Sequence, residues 1–354
     1  MTKAELDSIK IFPLEDSWYR RVKEKLDGIA KPLDGLGKFE HLIAQIGAIE
    51  KTTKISIQKK AVLVMCADNG VVEEQVSQSG KEVTLAVAKA MGVNNSSVGK
   101  MAAVAGVDVV PVDIGIDTDE VIPGVLPRKV AKGTKNFAKE PAMTEEEVLK
   151  AIETGIQLVQ QCHREGYEIL ATGEMGIGNT TTSTAVAAAL LDLEVEQVTG
   201  KGAGLTDEAL KRKCRVIEEA IEKYSLRDAD AFTILKTVGG LDIAGLTGVF
   251  IGAAIEQIPV VIDGVISAVA ALLAETLCKG AVNYMIPSHK SRELAETVIM
   301  KKLHLDPVLD ADMALGEGTG AVMMISLLDV ALGVYLQGAS FANFEIEQYK
   351  RYEE

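Results

Sequence analysis

The feature that most constrains the fold of this sequence is a repeated alternation of short apolar runs and longer helical segments. Residues 61–66 have the length and composition of a buried strand, and residues 83–104 have a helical pattern. The other predicted strands are residues 107–112, 168–172, 259–262 and 282–286. The other predicted helices are residues 16–29, 38–49, 145–162, 182–191, 206–223, 231–238, 266–278, 291–302 and 321–336. Such alternation predicts a doubly wound α/β sheet, whose ligands bind at the carboxyl ends of its strands.

Composition supports the same fold class. Apolar residues make up 47% of the chain and aromatic residues only 4%, which suits helices packed on a buried parallel sheet. The segments at both ends are helical. We expect residues 1–50 and 322–354 to pack together as a small helical domain, beside a catalytic domain over residues 51–321.

Charge and cysteine usage exclude several classes of partner. The formal net charge is −14 and no long basic run offsets it, so nucleic acid and anionic membranes are disfavoured. The four cysteines are scattered without a Cys-x-x-Cys pair, which indicates a reduced, cytoplasmic setting. The four histidines lack metal-ligand spacing, so we expect no metal site. The apolar region 245–277 is interrupted by Glu256 and Asp263, which favours a strand flanked by buried helices over a membrane span.

One glutamate stands in an unusual glycine-rich setting. Glu317 lies between Gly316 and Gly318 in the string Leu-Gly-Glu-Gly-Thr-Gly-Ala, residues 315–321. Glycines allow the backbone to approach a ligand closely. A carboxylate held there is a candidate general base, provided that partial burial raises its pKa toward neutrality. The string is also compatible with a plain surface turn.

A second glycine-rich loop, residues 173–182, carries Glu174 and precedes an Ala-rich helix. It lacks the Gly-Lys-Ser/Thr ending of a P-loop, which disfavours ATP hydrolysis. Backbone amides at the start of a helix suit a single phosphate, although a structural strand–helix turn has the same composition. Residues 200–205 form a weaker second candidate. Lys201 and Lys213 are possible counter-charges there, unless each is a solvated surface lysine.

Two further segments carry polar residues at expected strand ends. Asp263 follows a strand as in ribose transferases that bind a diphosphate, but their Thr-Gly-rich loop is missing. A transferred ribosyl group should therefore leave from something other than diphosphate. Ser288 and Ser291 precede a predicted helix, which they either cap or leave for contact with a ligand. His289 has no evident partner for a nucleophilic triad.

Taken in order, these segments resemble the nicotinate-nucleotide–dimethylbenzimidazole phosphoribosyltransferase family, whose members activate the lower base of cobalamin. The most specific strings are Gly-Glu-Met-Gly-Ile-Gly-Asn-Thr-Thr at residues 173–181 and the glutamate string at residues 315–321. The other matching segments are residues 31–37, 67–71, 76–77, 83–84, 239–244, 263–268 and 288–289. The matches extend from residue 31 to residue 321 in family order, which makes chance a poor explanation.

The resemblance implies a Rossmann-like parallel sheet, a small helical domain from both termini, a homodimer and no cofactor. It implies transfer of 5-phosphoribose from nicotinate mononucleotide to an aromatic base, with inversion at C1′. By motif match, Glu317 is the general base and Glu174 a supporting carboxylate. The implied phosphate- or nucleotide-binding residues are Gly176, Ile177, Gly178, Asn179, Thr180, Thr181, Gly202, Gly204, Lys213, Asp263, Ser291, Gly316 and Gly318. The implied base-binding residues are Ser77, Gly80, Lys81, Met175 and Val87.

Residues 80–87 depart from the family pattern. Lys81 and Val87 stand where the family usually has glutamines near the base pocket. The accepted base is therefore open among dimethylbenzimidazole, other benzimidazoles, adenine and phenols. Two alternatives of another class remain: a subunit of a paralogous phenol-activating heterodimer, and a nucleotide-binding protein without transferase activity. The intact Glu174 and Glu317 argue against an inactive subunit.

Overall fold

The computed structural model describes residues 1–200, 202 and 204–351, and all elements below lie in them. The strands are β1 Lys60–Ala67, β2 Asp108–Gly115, β3 Leu126–Pro127, β4 Ile169–Met175, β5 Val260–Ile262, β6 Met285–Pro287, β7 His289–Ser291 and β8 Leu309–Met313. The helices are α1 Lys3–Asp7, α2 Asp16–Asp27, α3 Lys38–Glu50, α4 Glu82–Gly92, α5 Ser97–Ala105, α6 Glu145–Arg164, α7 Asn179–Leu191, α8 Val195–Val198, α9 Asp207–Lys223, α10 Ala231–Val238, α11 Leu241–Glu256, α12 Val265–Leu277, α13 Leu294–Lys302 and α14 Thr319–Gln337.

Six parallel strands form the central sheet in the order β3-β2-β1-β4-β5-β6. This is the strand order of a Rossmann-like doubly wound fold, so the predicted fold class is confirmed. The order reverses between β1 and β4, and a crevice therefore opens at the carboxyl ends of these two strands. Strands β7 and β8 form a separate two-stranded parallel sheet.

Helices cover both faces of the sheet, and every residue of β1 is buried. On one face α11 packs so tightly against α6 that a Cβ at Gly155 would strike the carbonyl oxygen of Gly245. On the other face Leu26 of α2 and Leu328 of α14 share an apolar cluster with Val64 of β1. The helices of both termini thus meet over the sheet. The division into a small helical domain and a catalytic domain stays a prediction.

Several predicted elements differ from the structure in detail. The single helix predicted over residues 83–104 is two helices, because Asn94 adopts φ +53° and the Ser96 hydroxyl accepts a hydrogen bond from Gly99 N to start α5. The strand predicted over residues 282–286 begins only at Met285, after a 3₁₀ turn. The region 245–277 is a strand between two buried helices, as predicted.

Among the described residues, α14 is the one helix long and apolar enough to cross a membrane by length and composition. In this structure, 56% of its apolar window is buried, and the helix packs against β4 and β5. Apolar side chains of α14 therefore pack against the sheet inside the fold. The helix begins directly after Glu317 and Gly318, so the sheet also fixes the position of that loop.

Candidate active site

A cavity of about 300 Å³ opens at the carboxyl ends of β4 and β5. The loop from β4 to α7, the loop from β5 to α12 and the loop before α14 form most of its wall. Both glutamates singled out in the sequence line it, Glu174 at the end of β4 and Glu317 before α14. The fold therefore brings together two strings that lie more than a hundred residues apart in the sequence.

Glu317 is held in a strained loop. Gly316, Glu317 and Gly318 have φ values of +84°, +62° and +90°, so a non-glycine residue occupies the left-handed region between two glycines. A strained residue at a cavity marks a candidate functional position. The Glu317 Oε2 atom accepts a hydrogen bond of 3.0 Å from Val98 N, in the first turn of α5. This donor and the positive end of the helix dipole stabilise the negatively charged carboxylate.

The two glutamate loops are in direct contact. A Cβ at Gly173 would lie 2.6 Å from the carbonyl oxygen of Glu317, and a Cβ at Gly316 would lie 2.8 Å from Glu174 Oε1. A side chain at Gly173 would therefore push the loops apart, and one at Gly316 would displace the Glu174 carboxyl. The glycines beside each glutamate allow the close approach that places both carboxylates in one cavity.

Glu174 is buried among other carboxylates. Burial, followed by the negative charge of Asp242, raises the pKa of Glu174 to about 8, and a hydrogen bond from Asn179 opposes this shift. The side-chain nitrogen of Asn179 donates to Glu174 Oε2 and also to Asp242 Oδ2, at 3.1 Å in the second case. Glu174 is therefore mostly protonated at neutral pH in the free protein.

Asp263 organises the start of α14. Its carboxylate accepts hydrogen bonds from Gly318 N at 3.2 Å and from Ala321 N at 3.0 Å. An anion at a helix N-terminus is favourable, whereas a carboxylate repels a phosphate. Asp263 therefore supports the Glu317 loop, and its expected nucleotide-binding role stays a prediction. His289 lies beside it, and burial lowers the pKa of this imidazole while the Asp263 charge opposes the shift.

The loop before α7 uses several of its donors internally. Ile177 N donates to the Thr84 hydroxyl at 3.1 Å, and Asn179 N donates to the Gly176 carbonyl at 3.1 Å. The side-chain nitrogen of Asn179 is occupied as well, so this residue has no donor left for a phosphate. The Thr180 side chain lines the cavity and accepts a hydrogen bond of 3.0 Å from Lys213 Nζ.

Lys213 is not a surface lysine, and that alternative is wrong. The side chain is 0% exposed, and burial lowers the pKa of its amine to about 8. Its Nζ contacts Thr180 and the Gly200 carbonyl rather than the cavity itself. The charge of Lys213 therefore acts on the cavity wall through the Thr180 hydroxyl. Lys201, the other predicted counter-charge, lies outside the described residues.

The Glu293 carboxylate contacts Gly202, in the second glycine-rich loop. Glu293 Oε1 accepts a hydrogen bond of 3.2 Å from Gly202 N, and both residues line the cavity. Because Gly202 N was a predicted phosphate donor, an anion that binds there must displace Glu293. Glu293 is also the residue before α13, so the expected capping of this helix by Ser288 or Ser291 is wrong. Ser288 donates instead to the Asp263 carbonyl, at 3.2 Å.

Comparison with known proteins decides the family. A family model described as phosphoribosyltransferase matches residues 11–346. This chain belongs to that phosphoribosyltransferase family. The nicotinate-nucleotide–dimethylbenzimidazole phosphoribosyltransferase of Acetivibrio thermocellus is 45% identical over 329 residues, covering 93% of this chain and 94% of that one. The protein of the same name from Clostridium acetobutylicum is 43% identical, covering 95% of this chain and 96% of that one. The crystal structure of CobT from Thermus thermophilus superposes with a TM-score of 0.89 at 33% identity, over 94% of this chain and all of that one.

The resemblance drawn from the sequence is thereby confirmed, and the chain is an enzyme of the pentosyltransferase class. Of the residues predicted for the site of this phosphoribosyltransferase, twelve line the cavity. They are Val87, Glu174, Met175, Gly176, Ile177, Asn179, Thr180, Gly202, Asp263, Ser291, Gly316 and Glu317. Val87 and Met175 are the two predicted base-binding residues among them.

The other predicted site residues lie elsewhere. Ser77 and Gly178 line a smaller adjoining cavity of about 80 Å³. Lys81 forms an ion pair with Asp117 at 3.3 Å, on the protein surface. The predicted residues that line neither cavity are Gly80, Lys81, Thr181, Gly204, Lys213 and Gly318.

Sequence reasoning assigned no role to Asp242, Val98 or Glu293 in the phosphoribosyltransferase. Asp242 lies in the segment 239–244, which the family comparison had singled out, so the sequence did carry a signal there. Val98 contributes only a backbone N–H, and Glu293 lies in a polar run. No sequence pattern identifies either of these two.

Proposed function

We propose that this chain transfers 5-phosphoribose from nicotinate mononucleotide to an aromatic base, dimethylbenzimidazole or a related one. The products are an α-ribosyl phosphate and nicotinate, with inversion at C1′. The observation that carries the proposal is the contact of the two glutamate loops, which places the Glu174 and Glu317 carboxyls in one cavity. Two carboxyls in distinct environments suit a reaction that both moves a proton and passes through a positively charged ribosyl group.

The leaving group explains why carboxylates suit the reaction. The pyridinium nitrogen of nicotinate mononucleotide is cationic, so it takes the electron pair of the breaking C1′–N bond and departs without protonation. Positive charge develops on the ribose as the bond breaks. Glu174 and the ionised groups around it stabilise that charge, since fixed anions act strongly in a water-poor cavity.

Glu317 acts as the general base. A nitrogen of the incoming base attacks C1′ from the face opposite nicotinate, and its proton passes to the Glu317 carboxylate. The Val98 N–H holds the Glu317 carboxylate in position before the substrate arrives. Attack from the opposite face converts the β-configuration into α.

The phosphate end binds near the start of α7. Thr180, backed by the charge of Lys213, and the Gly202 N–H supply donors once Glu293 has moved. The base lies against Val87 and Met175, whose apolar side chains select by shape more than by hydrogen bonds. Shape alone discriminates by only about 1–3 kcal/mol, so several benzimidazoles should be accepted, and phenols less readily.

The enzyme acts as a homodimer in the cytoplasm. Met323, Val330 and Val334 are exposed at helical spacing along α14, which supports an apolar contact with a second copy. The four cysteines are unpaired and buried, which fits a reducing compartment. A heterodimer subunit or an inactive nucleotide-binding protein is not favoured, because both glutamates are present in the cavity.

The test is a nicotinate-release assay with purified protein, nicotinate mononucleotide and a panel of benzimidazoles, adenine and phenols. We expect base-dependent release with several benzimidazoles. A failure of every base in the panel to elicit release contradicts the proposed reaction. A preference for dimethylbenzimidazole over benzimidazole of more than about a thousandfold contradicts the shape-selective base site.

A further inference from the structure

Asp242 lies behind the cavity wall and is 0% exposed, so it cannot touch a substrate in this arrangement. Its Oδ2 nevertheless accepts a hydrogen bond from Asn179 Nδ2, the same nitrogen that donates to Glu174. An amide nitrogen has two hydrogens, and carboxylates that face it accept both. One amide thus joins a carboxyl inside the cavity to a carboxylate outside it.

The surroundings fix Asp242 in this one orientation. A Cβ at Gly176 would lie 2.9 Å from Asp242 Oδ2, and a Cβ at Gly240 would strike Asp242 Oδ1. Oδ1 accepts a hydrogen bond of 3.0 Å from Ile243 N. The two hydrogen bonds fix both carboxylate oxygens, and Oδ2 holds the Asn179 amide toward Glu174.

Burial of the Asp242 carboxylate lowers the stability of the fold. The main influences on the pKa values of Glu174 and Asp242 are burial, hydrogen bonds and neighbouring carboxylates, and burial raises the pKa of Asp242 to about 6. An unpaired buried charge destabilises a protein, so a purely structural role would be filled better by a neutral residue. The titratable groups that face the pair are Asp68, Asp263, Glu317 and the Cys66 thiol.

We propose that Asp242 is a positioning residue for the transfer reaction, which orients Glu174 and controls its charge through the side-chain amide of Asn179. This inference rests on the proposed function. Burial keeps a proton on Glu174 in the free protein, and the negative charge of Asp242 adds to this effect because two adjacent anions would repel each other. The cationic pyridinium supplies the missing positive charge, so Glu174 ionises when the substrate is in place and the ribosyl charge is about to form.

The first experiment is a titration of the free protein. Glutamate labelled with ¹³C at the side-chain carboxyl is followed by NMR, and the Glu174→Gln spectrum identifies the Glu174 signal. Asp242→Asn keeps the size and removes the charge, so the pKa of Glu174 should fall by about one pH unit or more. Glu50→Gln removes another buried carboxyl, whose own pKa burial raises to about 8, and should leave Glu174 unchanged.

The second experiment measures whether Asp242 acts through Asn179. Above about pH 9, where Glu174 is ionised in every variant, Asp242→Asn and Asn179→Ala should each lower kcat about 10- to 100-fold with a smaller change in KM, because the orientation of Glu174 is lost. The double variant should be no worse than the poorer single one. Additive losses, or an unchanged pKa of Glu174 in Asp242→Asn, overturn the inference. The titration uses no substrate, so a shifted pKa in a protein that releases no nicotinate contradicts the proposed function and not the coupling of the two carboxyls.

Discussion

The pH dependence of turnover tests the environment of Glu174. Because its pKa is raised to about 8, chiefly by burial, about one-tenth of the molecules carry an ionised Glu174 at pH 7. The proposed reaction needs the ionised form, since a neutral carboxyl stabilises positive charge poorly. Ionisation of Glu174 alone would raise kcat/KM for nicotinate mononucleotide about tenfold between about pH 7 and about pH 9 or above. Because the Lys213 amine loses its charge near the same pH, we expect an observed rise of about threefold, to a maximum near about pH 8.

Deprotonation of Lys213 should lower kcat/KM at higher pH. Burial lowers the pKa of its amine to about 8, so the positive charge behind Thr180 is lost as the pH rises through this value. Phosphate binding weakens with it, and the profile becomes bell-shaped. Lys213→Met is similar in size and carries no charge, so it should lower kcat/KM below about pH 8, approach the native value at high pH and remove the falling limb.

The assay is steady-state nicotinate release between about pH 6 and pH 10, at a saturating concentration of base. Glu174→Gln should lack the rising limb. In the substrate complex the pyridinium charge favours ionised Glu174, so the rising limb of kcat should lie at lower pH than that of kcat/KM. A limb near pH 8 that persists in Glu174→Gln would refute the assignment.

Three further substitutions test other parts of the site. Glu317→Gln should lower kcat by roughly 10²-fold or more while nicotinate mononucleotide still binds in calorimetry, and near-normal turnover would remove Glu317 as the base. Gly178→Val should lower the melting temperature, because Gly178 has φ +92° and its Cβ would lie 2.7 Å from Val72. It should also weaken binding of the mononucleotide more than binding of the free base, and an unchanged mononucleotide affinity would argue against this loop as the phosphate site. Glu293→Gln should lower KM for the mononucleotide, because the carboxylate no longer opposes an anion at Gly202 N, and a higher KM would contradict that competition.

The fold was largely predictable because the periodicity of apolar residues indicates most of its strands and helices. The strand pattern around residues 61–66 and the helix Ala231–Val238 follow directly from the sequence. The break between α4 and α5 was missed although the sequence carried a signal for it, since residues 94–97 are a polar Asn-Asn-Ser-Ser run and Ser96 caps α5. Strand β3, with two residues, is too short to show any period.

Site residues were predictable where they belong to a short contiguous motif, and less so where their role depends on tertiary contacts. Glu174 and Glu317 were found because glycines flank each of their strings. The burial of Lys213 was not visible, because a lysine in an amphipathic helix looks the same on either face until the helix has packed. The support that Asp263 gives to the Glu317 loop was not visible for a related reason, since its partners are backbone amides more than fifty residues away.

The configuration of the product tests the central claim most directly. Purified protein is incubated with nicotinate mononucleotide and dimethylbenzimidazole, and nicotinate and the ribosyl phosphate are quantified together by ¹H NMR. We expect equal amounts of both, with the new C1′–N bond in the α-configuration and about a hundredfold less product from Glu317→Gln. A β-configured product, or product formed without an equal amount of nicotinate, would contradict single displacement with Glu317 as the base.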